Sequence, residues 1–219
     1  MKYNFKKIDS TIMIFSNDRI VKITNNKDFI VKDVKIAKLI IDELNKFGIT
    51  NLKKLPVTSL SLAISNLTEC DRKKLEVEIV KILYFDSCLY RNKKNPNLNK
   101  LLDKKLNNSI NFFNQQFYCN LVKVYDSLGN QKTIFLDKFY KYLNNMKLQN
   151  LYLFYRMSKL TNSVVLTYNY FSNCYGVIKL LNLSNIESRY QQSIWGHVTE
   201  QKIIDDEEKK IMKNFSIFF

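Results

Sequence analysis

Glycine and proline are scarce in this chain, and that scarcity sets the strongest limit on its fold. The 219 residues contain four glycines and two prolines, Pro56 and Pro96. Because these residue types end helices, the stretch after Pro96, whose glycines are Gly129, Gly176 and Gly196, predicts long helices as far as the C-terminus. The same scarcity excludes the Gly-rich loops that cradle nucleotide phosphates, since no GxGxxG or GxxxxGK pattern occurs.

The first thirty residues have a different pattern, in which short β-branched runs alternate with turn formers. The apolar runs occupy residues 12–15, 19–23 and 29–31, separated by Asn- and Asp-containing turns at 16–18 and 24–28. This alternation predicts a small antiparallel meander.

The apolar period changes to that of a helix at Val34. Asp33 is placed as the N-cap and Gly48 lies just past the last turn, so an amphipathic helix of three to four turns is predicted, covering one face of the sheet. Later apolar residues also recur at helical spacing. The sequence therefore predicts an α+β fold, with a small N-terminal antiparallel β-sheet covered by a helix, followed by a mainly α, orthogonal helical bundle.

The predicted elements divide the chain into two domains. Residues 1–50 are predicted to form an N-terminal α/β sandwich-like domain, and residues 51–219 a helical bundle domain. Residues 121–135 contain two β-branched runs around a turn, and are a candidate to rejoin the first sheet.

The chain is strongly basic, with 35 Lys+Arg against 20 Asp+Glu and a formal net charge of +15. An excess of this size is typical of proteins that bind nucleic acid. The lysines are dispersed as pairs, however, and arginine, which suits bidentate phosphate contacts, is rare. We favour a solvated surface, with a basic nucleic-acid-binding accessory protein as the alternative. Residues 139–142 mix Lys with Phe and Tyr, and fit a base-stacking surface or, as we favour, packed core.

Residues able to carry catalysis or hold a metal are few. The presence of a single histidine, His197, rules out His-pair metal sites. Four scattered cysteines without a CxxC pair are typical of buried reduced thiols. We expect no catalytic residues, no metal, no cofactor and no small-molecule substrate. Neither a signal peptide nor membrane insertion is predicted, because the N-terminus lacks an apolar segment and polar residues interrupt residues 163–183.

The scarcest residue types gather in one segment near the C-terminus. Residues 190–200 contain the only tryptophan, Trp195, the only histidine, and Gly196. A purely structural interpretation is that Trp195 packs into the bundle, Gly196 supplies a positive φ at a helix end, and Glu200 begins the next helix. The functional interpretation is that Trp195 anchors an interface.

Four stretches of the chain follow the motifs of one family. Tyr190, Gln191, Trp195, Gly196 and Glu200 match its pattern of Trp or Tyr followed by Gln, then Trp-Gly, then Glu. Residues 55–65 and 160–166 are similar to two further motifs, and its Asp-x-x-x-Tyr-Arg stands here as Asp86, Tyr90 and Arg91. On these motifs the chain resembles the assembly chaperones for the alpha subunit of the catalytic F(1) head of ATP synthase, found in mitochondria and alphaproteobacteria.

The resemblance implies a function in assembly of the ATP synthase F(1) head. Such a chaperone binds the unassembled alpha subunit and prevents its aggregation until the beta subunit replaces it. The residues it places against the client are Trp195, Glu200, Tyr190, Gln191 and Gly196. Of the two compartments in which that family occurs, the absence of a recognisable presequence favours the bacterial cytoplasm, and the mitochondrial matrix is the expectation for a eukaryotic protein.

The chain departs from the family where acidic residues are common around this motif. The departures are at Ser188, Arg189, Ser193 and His197. Glu187 and Glu200 are the acids that remain near Trp195.

Overall fold

The computed structural model describes residues 2–23, 26–49, 52–125, 135–196 and 199–218, with backbone alone at residue 53 and residues 199–202. The chain forms two compact units. The first runs to Thr68 and includes the residues from Lys213 onward, and the second spans Glu69–Met212. The proposed division near residue 50 stays a prediction.

An antiparallel sheet is built around one central strand, β2 (Thr11–Ser16). β1 (Tyr3–Ile8) pairs along one edge of β2, while β3 (Arg19–Ile20) and β4 (Ile30–Val31) pair with opposite ends of its other edge. The tight turn between β2 and β3 has positive φ at both Asn17 and Asp18, residue types that tolerate the left-handed region. The predicted N-terminal sheet is confirmed, with β1 as a strand that the apolar pattern did not indicate.

Helix α1 (Val34–Phe47) begins and ends where its capping residues predict. The Asp33 carboxylate accepts hydrogen bonds from the backbone N–H groups of Lys35 and Ile36, and the Gly48 N–H donates to the Leu44 carbonyl, with φ of 66° at Gly48. The buried side of α1 joins one core with the sheet, made of Ile36, Ala37, Ile40 and Leu44 with Tyr3, Ile12, Ile14, Phe29 and Val31. Burial of each such aliphatic side chain contributes about 1.5–3 kcal/mol.

Helix α2 (Pro56–Ser65) also belongs to the first unit. Pro56 occupies its first turn, and the Glu43 carboxylate of α1 accepts the backbone N–H groups of Val57, at 3.0 Å, and Thr58, at 2.8 Å. A carboxylate at a helix N-terminus accepts hydrogen bonds from free N–H groups and interacts favourably with the positive end of the helix dipole. The motif at residues 55–65 therefore forms α2, whose N-terminus is capped by a carboxylate of α1.

The second unit is helical in its described residues. Its helices are α3 (Glu69–Tyr84), α4 (Pro96–Phe117), α5 (Asp137–Asn145), α6 (Leu148–Thr161), α7 (Val164–Phe171), α8 (Val177–Ser184), α9 (Ile186–Trp195) and most of α10 (Thr199–Ser216). Together with the sheet, these helices confirm the predicted α+β class. The single helical period expected from Phe135 to Ser158 is broken, because Met146 and Lys147 have extended ψ angles of 141° and 139°.

Aromatic side chains form the centre of the second unit. Phe113 and Phe139 are fully buried with ring centroids 5.3 Å apart, and the Tyr142 ring lies 5.3 Å from that of Tyr168. These tilted and edge-on contacts are favourable ring geometries. The core interpretation of residues 139–142 is confirmed for Phe139 and Tyr142, so these rings are not available for base stacking.

The segment that was a candidate to rejoin the first sheet is described over residues 121–125. There, Val124 forms an isolated parallel bridge with Tyr90: its N–H donates to the Leu89 carbonyl at 2.9 Å, and its carbonyl accepts from the Arg91 N–H at 2.8 Å. These partners lie in the second unit, so this part of the segment pairs there and not with the first sheet. Residues 126–134 of the predicted segment lie outside the described residues.

Candidate functional site

Helices α9 and α10 meet at the glycine of the Trp-Gly motif. Gly196 has φ of 88° and ψ of 169°, and its N–H donates to the Gln192 carbonyl at 2.9 Å, which closes the last turn of α9. Glu200 lies in the first turn of α10. The predicted positive φ and the predicted helix start at Glu200 are both confirmed, while His197 lies outside the described residues.

Trp195 stands at the end of α9 with 80% of its surface exposed. Gln191, one turn earlier on the same stripe of the helix, is exposed, and the neighbouring Ile194 is 55% exposed. Since large apolar side chains are normally buried, a tryptophan this exposed is the kind of residue that marks an interaction site. The interpretation that Trp195 packs into the bundle is wrong.

Tyr190 lies on a different side of α9. It is half-buried, and its hydroxyl lies 3.4 Å from the Oδ1 atom of Asn95, which also caps α4 by accepting the Leu98 N–H at 3.0 Å. The Ser193 hydroxyl donates to the Tyr190 carbonyl at 2.6 Å. The structure thus brings Trp195 and Gln191 together on an exposed stripe and places Tyr190 toward α4.

The departures from the acidic pattern are mostly on the surface. Arg189 and Ser193 are exposed and Ser188 is half-buried, while Glu187 is an exposed acid two turns before Trp195. The exposed stripe of α9 therefore runs from Glu187 through Gln191 to Trp195 at four-residue spacing.

Helices α9 and α10 follow each other closely in the chain and are linked by a hydrogen bond, and we call this pair of helices the α9–α10 hairpin. The Asn185 side-chain amide, just before α9, donates to the Glu208 carboxylate of α10 at 2.7 Å. This bond joins the start of α9 to a point more than two turns into α10, while Gly196 and residues 197–198 connect the other ends. Near that connection, α10 exposes Ile203 and Ile204, which the sequence reasoning missed. The sequence signal that could have found them is their spacing of three and four residues from Glu200, which places them on the same side of α10 as that motif residue.

The Asp86 and Arg91 motif is a buried scaffold. The Asp86 carboxylate accepts the backbone N–H groups of Cys88 at 3.1 Å and Val165 at 2.9 Å, so it joins the turn after α3 to the first turn of α7. Burial raises the pKa of Asp86 above its ordinary value, and these hydrogen bonds oppose the shift. Ser163, in the 160–166 motif, caps α7 by accepting the Leu166 N–H.

Arg91 is held by one carboxylate and two carbonyls. Its Nε donates to Asp103 at 2.8 Å, and its Nη1 donates to the carbonyls of Cys88 and Tyr90. Partial burial would raise the pKa of Asp103, but hydrogen bonds from Lys123 and Arg91 outweigh it and lower that pKa. Three of the four resemblance motifs are thus explained by helix caps and buried ion pairing, which leaves the exposed one for function.

The thiols are free, and the expectation that all are buried holds for half of them. Cys88 and Cys119 are buried, whereas Cys70 and Cys174 are exposed. Burial raises the pKa of the Cys119 thiol to about 11.

The described part of the chain offers neither a metal-binding group nor a membrane-spanning helix. Within it, no three His, Cys, Asp or Glu side chains group closely enough to hold a metal ion. No helix in that part is long and apolar enough to cross a membrane.

Comparison with known proteins assigns the fold. No protein-family model matches the chain, and no curated protein matches it in sequence. In three dimensions, however, the sheet-and-helix unit followed by helices is an architecture shared by solved Atp12 structures over the full length of this chain.

An Asp-to-Lys mutant of Atp12p from P. denitrificans aligns with a TM-score of 0.81 at 13% identity, covering 100% of this chain and 94% of that chain. Atp12 from Paracoccus denitrificans gives 0.80 at 12% identity, with the same coverage. The Atu1473 protein from Agrobacterium tumefaciens, described as a candidate chaperone, gives 0.82 at 14% identity, covering 98% and 82%. At these identities the similarity establishes a common fold.

Proposed function

We propose that this protein is an assembly chaperone for the catalytic F(1) head of ATP synthase, which binds the unassembled alpha subunit. The observation that carries the proposal is Trp195, 80% exposed within the motif that matches the alpha-binding chaperone family. The common fold with Atp12 structures supports it, because the fold is an observation independent of the sequence motifs.

The physical task is to cover an apolar interface. An alpha subunit without its beta neighbours exposes the surface that they later bury, and such a surface aggregates. A folded partner that occupies it lowers the concentration of the exposed form by mass action, and needs no ATP for this. We therefore propose a binding protein and not an enzyme, acting where the F(1) head is assembled.

Trp195 is the residue best suited to the centre of this contact. A tryptophan side chain offers about 150–250 Å² of surface, loses little conformational freedom on binding and is enriched among the residues that dominate interface energies. Gln191 lies beside it on α9, and Glu200 follows in the first turn of α10, where a carboxylate supplies charge complementarity. Gly196 sets the angle between the two helices, and Tyr190 fixes α9 against α4.

Co-expression with the alpha and beta subunits of the same genome tests this function. We expect an affinity tag on this chain to recover alpha, and recovery to fall when beta is co-expressed, because beta occupies the same interface. Recovery of beta instead of alpha, or a gel shift of nucleic acid with no alpha bound, would contradict the proposal.

A charge reversal at Glu200 tests the site. Glu200→Lys is expected to fold normally and to lose most of the recovered alpha, because the client contact is charge-complementary. The matched control is Asp42→Lys, the same change at an exposed position of α1 in the other unit. Equal recovery of alpha by the two variants would remove Glu200 from the site.

A further inference from the structure

Helix α10 presents an exposed apolar face beside the Trp-Gly motif. Ile203 is 56% exposed, Ile204 is 47% exposed and Ile211 is also exposed. At 100° per residue, Ile204 and Ile211 lie within about 20° of each other around the helix axis. Ile203 lies about 80–100° from them, and Glu207 lies at an angle between Ile203 and Ile211. Met212, about 80–100° around the helix from Ile204 and Ile211, is buried. Two adjacent isoleucines half-exposed on one helix face are unfavourable in water, which points to a partner that covers them.

This face follows the exposed end of α9 closely along the chain. Ile203 and Ile204 are in the second turn of α10, and Ile194 and Trp195 are the last residues of α9. The Asn185 to Glu208 hydrogen bond fixes the hairpin that carries both pairs. Four large apolar side chains are therefore exposed within about two turns of the same connection.

The charge around this face differs from that of the whole chain. Residues 203–208, which include both isoleucines, contain four acidic residues and no lysine, and Lys209 and Lys210 follow them, in a protein whose formal net charge is +15. Glu207 is exposed on the same side as Ile203 and Ile204. A surface with an apolar centre and an acidic border is complementary to an apolar protein surface bordered by lysine and arginine, and repels nucleic-acid phosphates.

We propose, resting on the chaperone function above, that the alpha subunit is held by a two-helix surface and not by α9 alone. Ile194 and Trp195 provide one half of the surface, and Ile203 and Ile204 of α10 provide the other. Glu207 faces basic residues at the edge of the client's interface. The partner is thus an apolar patch of the alpha subunit with positively charged residues along one side.

The double variant Ile203→Ser with Ile204→Ser tests the apolar half. Titration of the purified alpha subunit is expected to show binding weakened about tenfold or more, since two buried aliphatic side chains are lost. Ile178→Ser, at a 43% exposed isoleucine of α8, is the matched control and is expected to bind alpha as the wild type does. Circular dichroism melting of each variant checks that the fold is intact.

A charge variant keeps the test decisive if the double serine variant does not fold. Glu207→Lys is expected to weaken alpha binding several-fold at low salt. Its difference from the wild type is expected to disappear at about 0.5 M salt, where charges are screened. Asp206→Lys makes the same change about 100° away around α10 and is expected to have a smaller effect. Equal effects of the two variants would overturn the proposed acidic border.

The outcomes separate this proposal from the function on which it rests. If the wild type does not bind alpha, the chaperone function fails. If the wild type binds alpha and Trp195→Ala loses it while the α10 variants bind normally, the function stands and the two-helix surface is wrong. If the wild type is a dimer that the serine variants convert to a monomer, a second copy covers the face and the proposal is also wrong.

Discussion

Trp195 is a residue whose importance to binding and to folding can be separated. Because 80% of its surface is exposed, Trp195→Ala removes little packing, and we expect the free energy of unfolding to change by less than about 0.5 kcal/mol. The same change is expected to abolish recovery of the alpha subunit, since it deletes the proposed centre of the contact. Urea unfolding followed by circular dichroism, alongside affinity recovery, measures the two effects. A large loss of stability would show that Trp195 is structural after all.

Asp86 is the opposite case, a residue of the motif that serves the fold. Asp86→Ala leaves the buried N–H groups of Cys88 and Val165 without their acceptor, and each such loss costs about 1–3 kcal/mol. We expect Asp86→Ala to lower the free energy of unfolding by about 2–6 kcal/mol. Asp42→Ala on the surface of α1 is the control, and the same urea measurement applies. Equal stabilities would contradict the scaffold role.

The contributions of Asp86 and Asp103 to the free energy of unfolding are expected to change with pH in opposite directions. The pKa of Asp86 is raised in the folded protein, so the stability it contributes is present below the ordinary value of 3.8 and is lost as pH rises through the folded pKa. The pKa of Asp103 is lowered, so its contribution is present above 3.8 and is lost as pH falls through the folded pKa. The destabilisation by Asp86→Asn should therefore shrink toward neutral pH, and that by Asp103→Asn should shrink in acid. Unfolding curves across pH 3–7 check both signs, and parallel profiles would be the contrary result.

At the scale of elements, the hairpin of α9 and α10 depends on Gly196. Its φ of 88° with ψ of 169° is a conformation that residues with a Cβ atom avoid, although the space around it is open. Gly196→Ala is thus expected to change the angle between the helices and to weaken alpha binding, with every contact side chain still present. Gly176→Ala, at an equally open position without positive φ, is the control. Comparable binding by both alanine variants, measured by titration of alpha, would exclude this role.

Elements with strong local signals could be predicted from the sequence, and the others could not. The ends of α1 were predictable because Asp33 and Gly48 act through neighbouring backbone atoms. β1 carries two lysines in its six residues, and its place in the sheet comes from pairing with β2, which is not a local signal. The break at Met146 has no proline or glycine, and Arg72 of α3 stabilises it by donating to the carbonyls of Asn144 and Met146.

At the scale of the whole molecule, most of the positive charge and the candidate binding surface lie on different residues. The net charge of +15 first suggests nucleic acid as the partner, but the candidate surface sits beside the most acidic stretch of the C-terminal helix. Dispersed surface lysines therefore affect solubility and long-range attraction, while the proposed contact with the partner rests on the exposed apolar residues of α9 and α10.

The candidate site could be predicted only in part, because the sequence pattern does not show which side chains are exposed. The motif drew attention to Trp195, but packed cores and interfaces both use aromatic residues, so its exposure had to come from the structure. Tyr190 belongs to the same motif and is half-buried toward α4, which the spacing of residues could not distinguish. Ile203 and Ile204 were missed because exposed isoleucines look like core residues at helical spacing.

Trp195 is proposed to become buried against the alpha subunit, and a probe on this side chain can measure that burial directly. Because it is the single tryptophan of the chain, labelling with 5-fluorotryptophan gives one fluorine NMR signal from the site. In the free protein the signal should shift between H2O and D2O, as expected for an exposed ring. On addition of unlabelled alpha subunit, we predict that the signal moves and loses this solvent dependence. Saturating alpha that binds the chain while the signal stays unchanged and solvent-exposed would contradict the account.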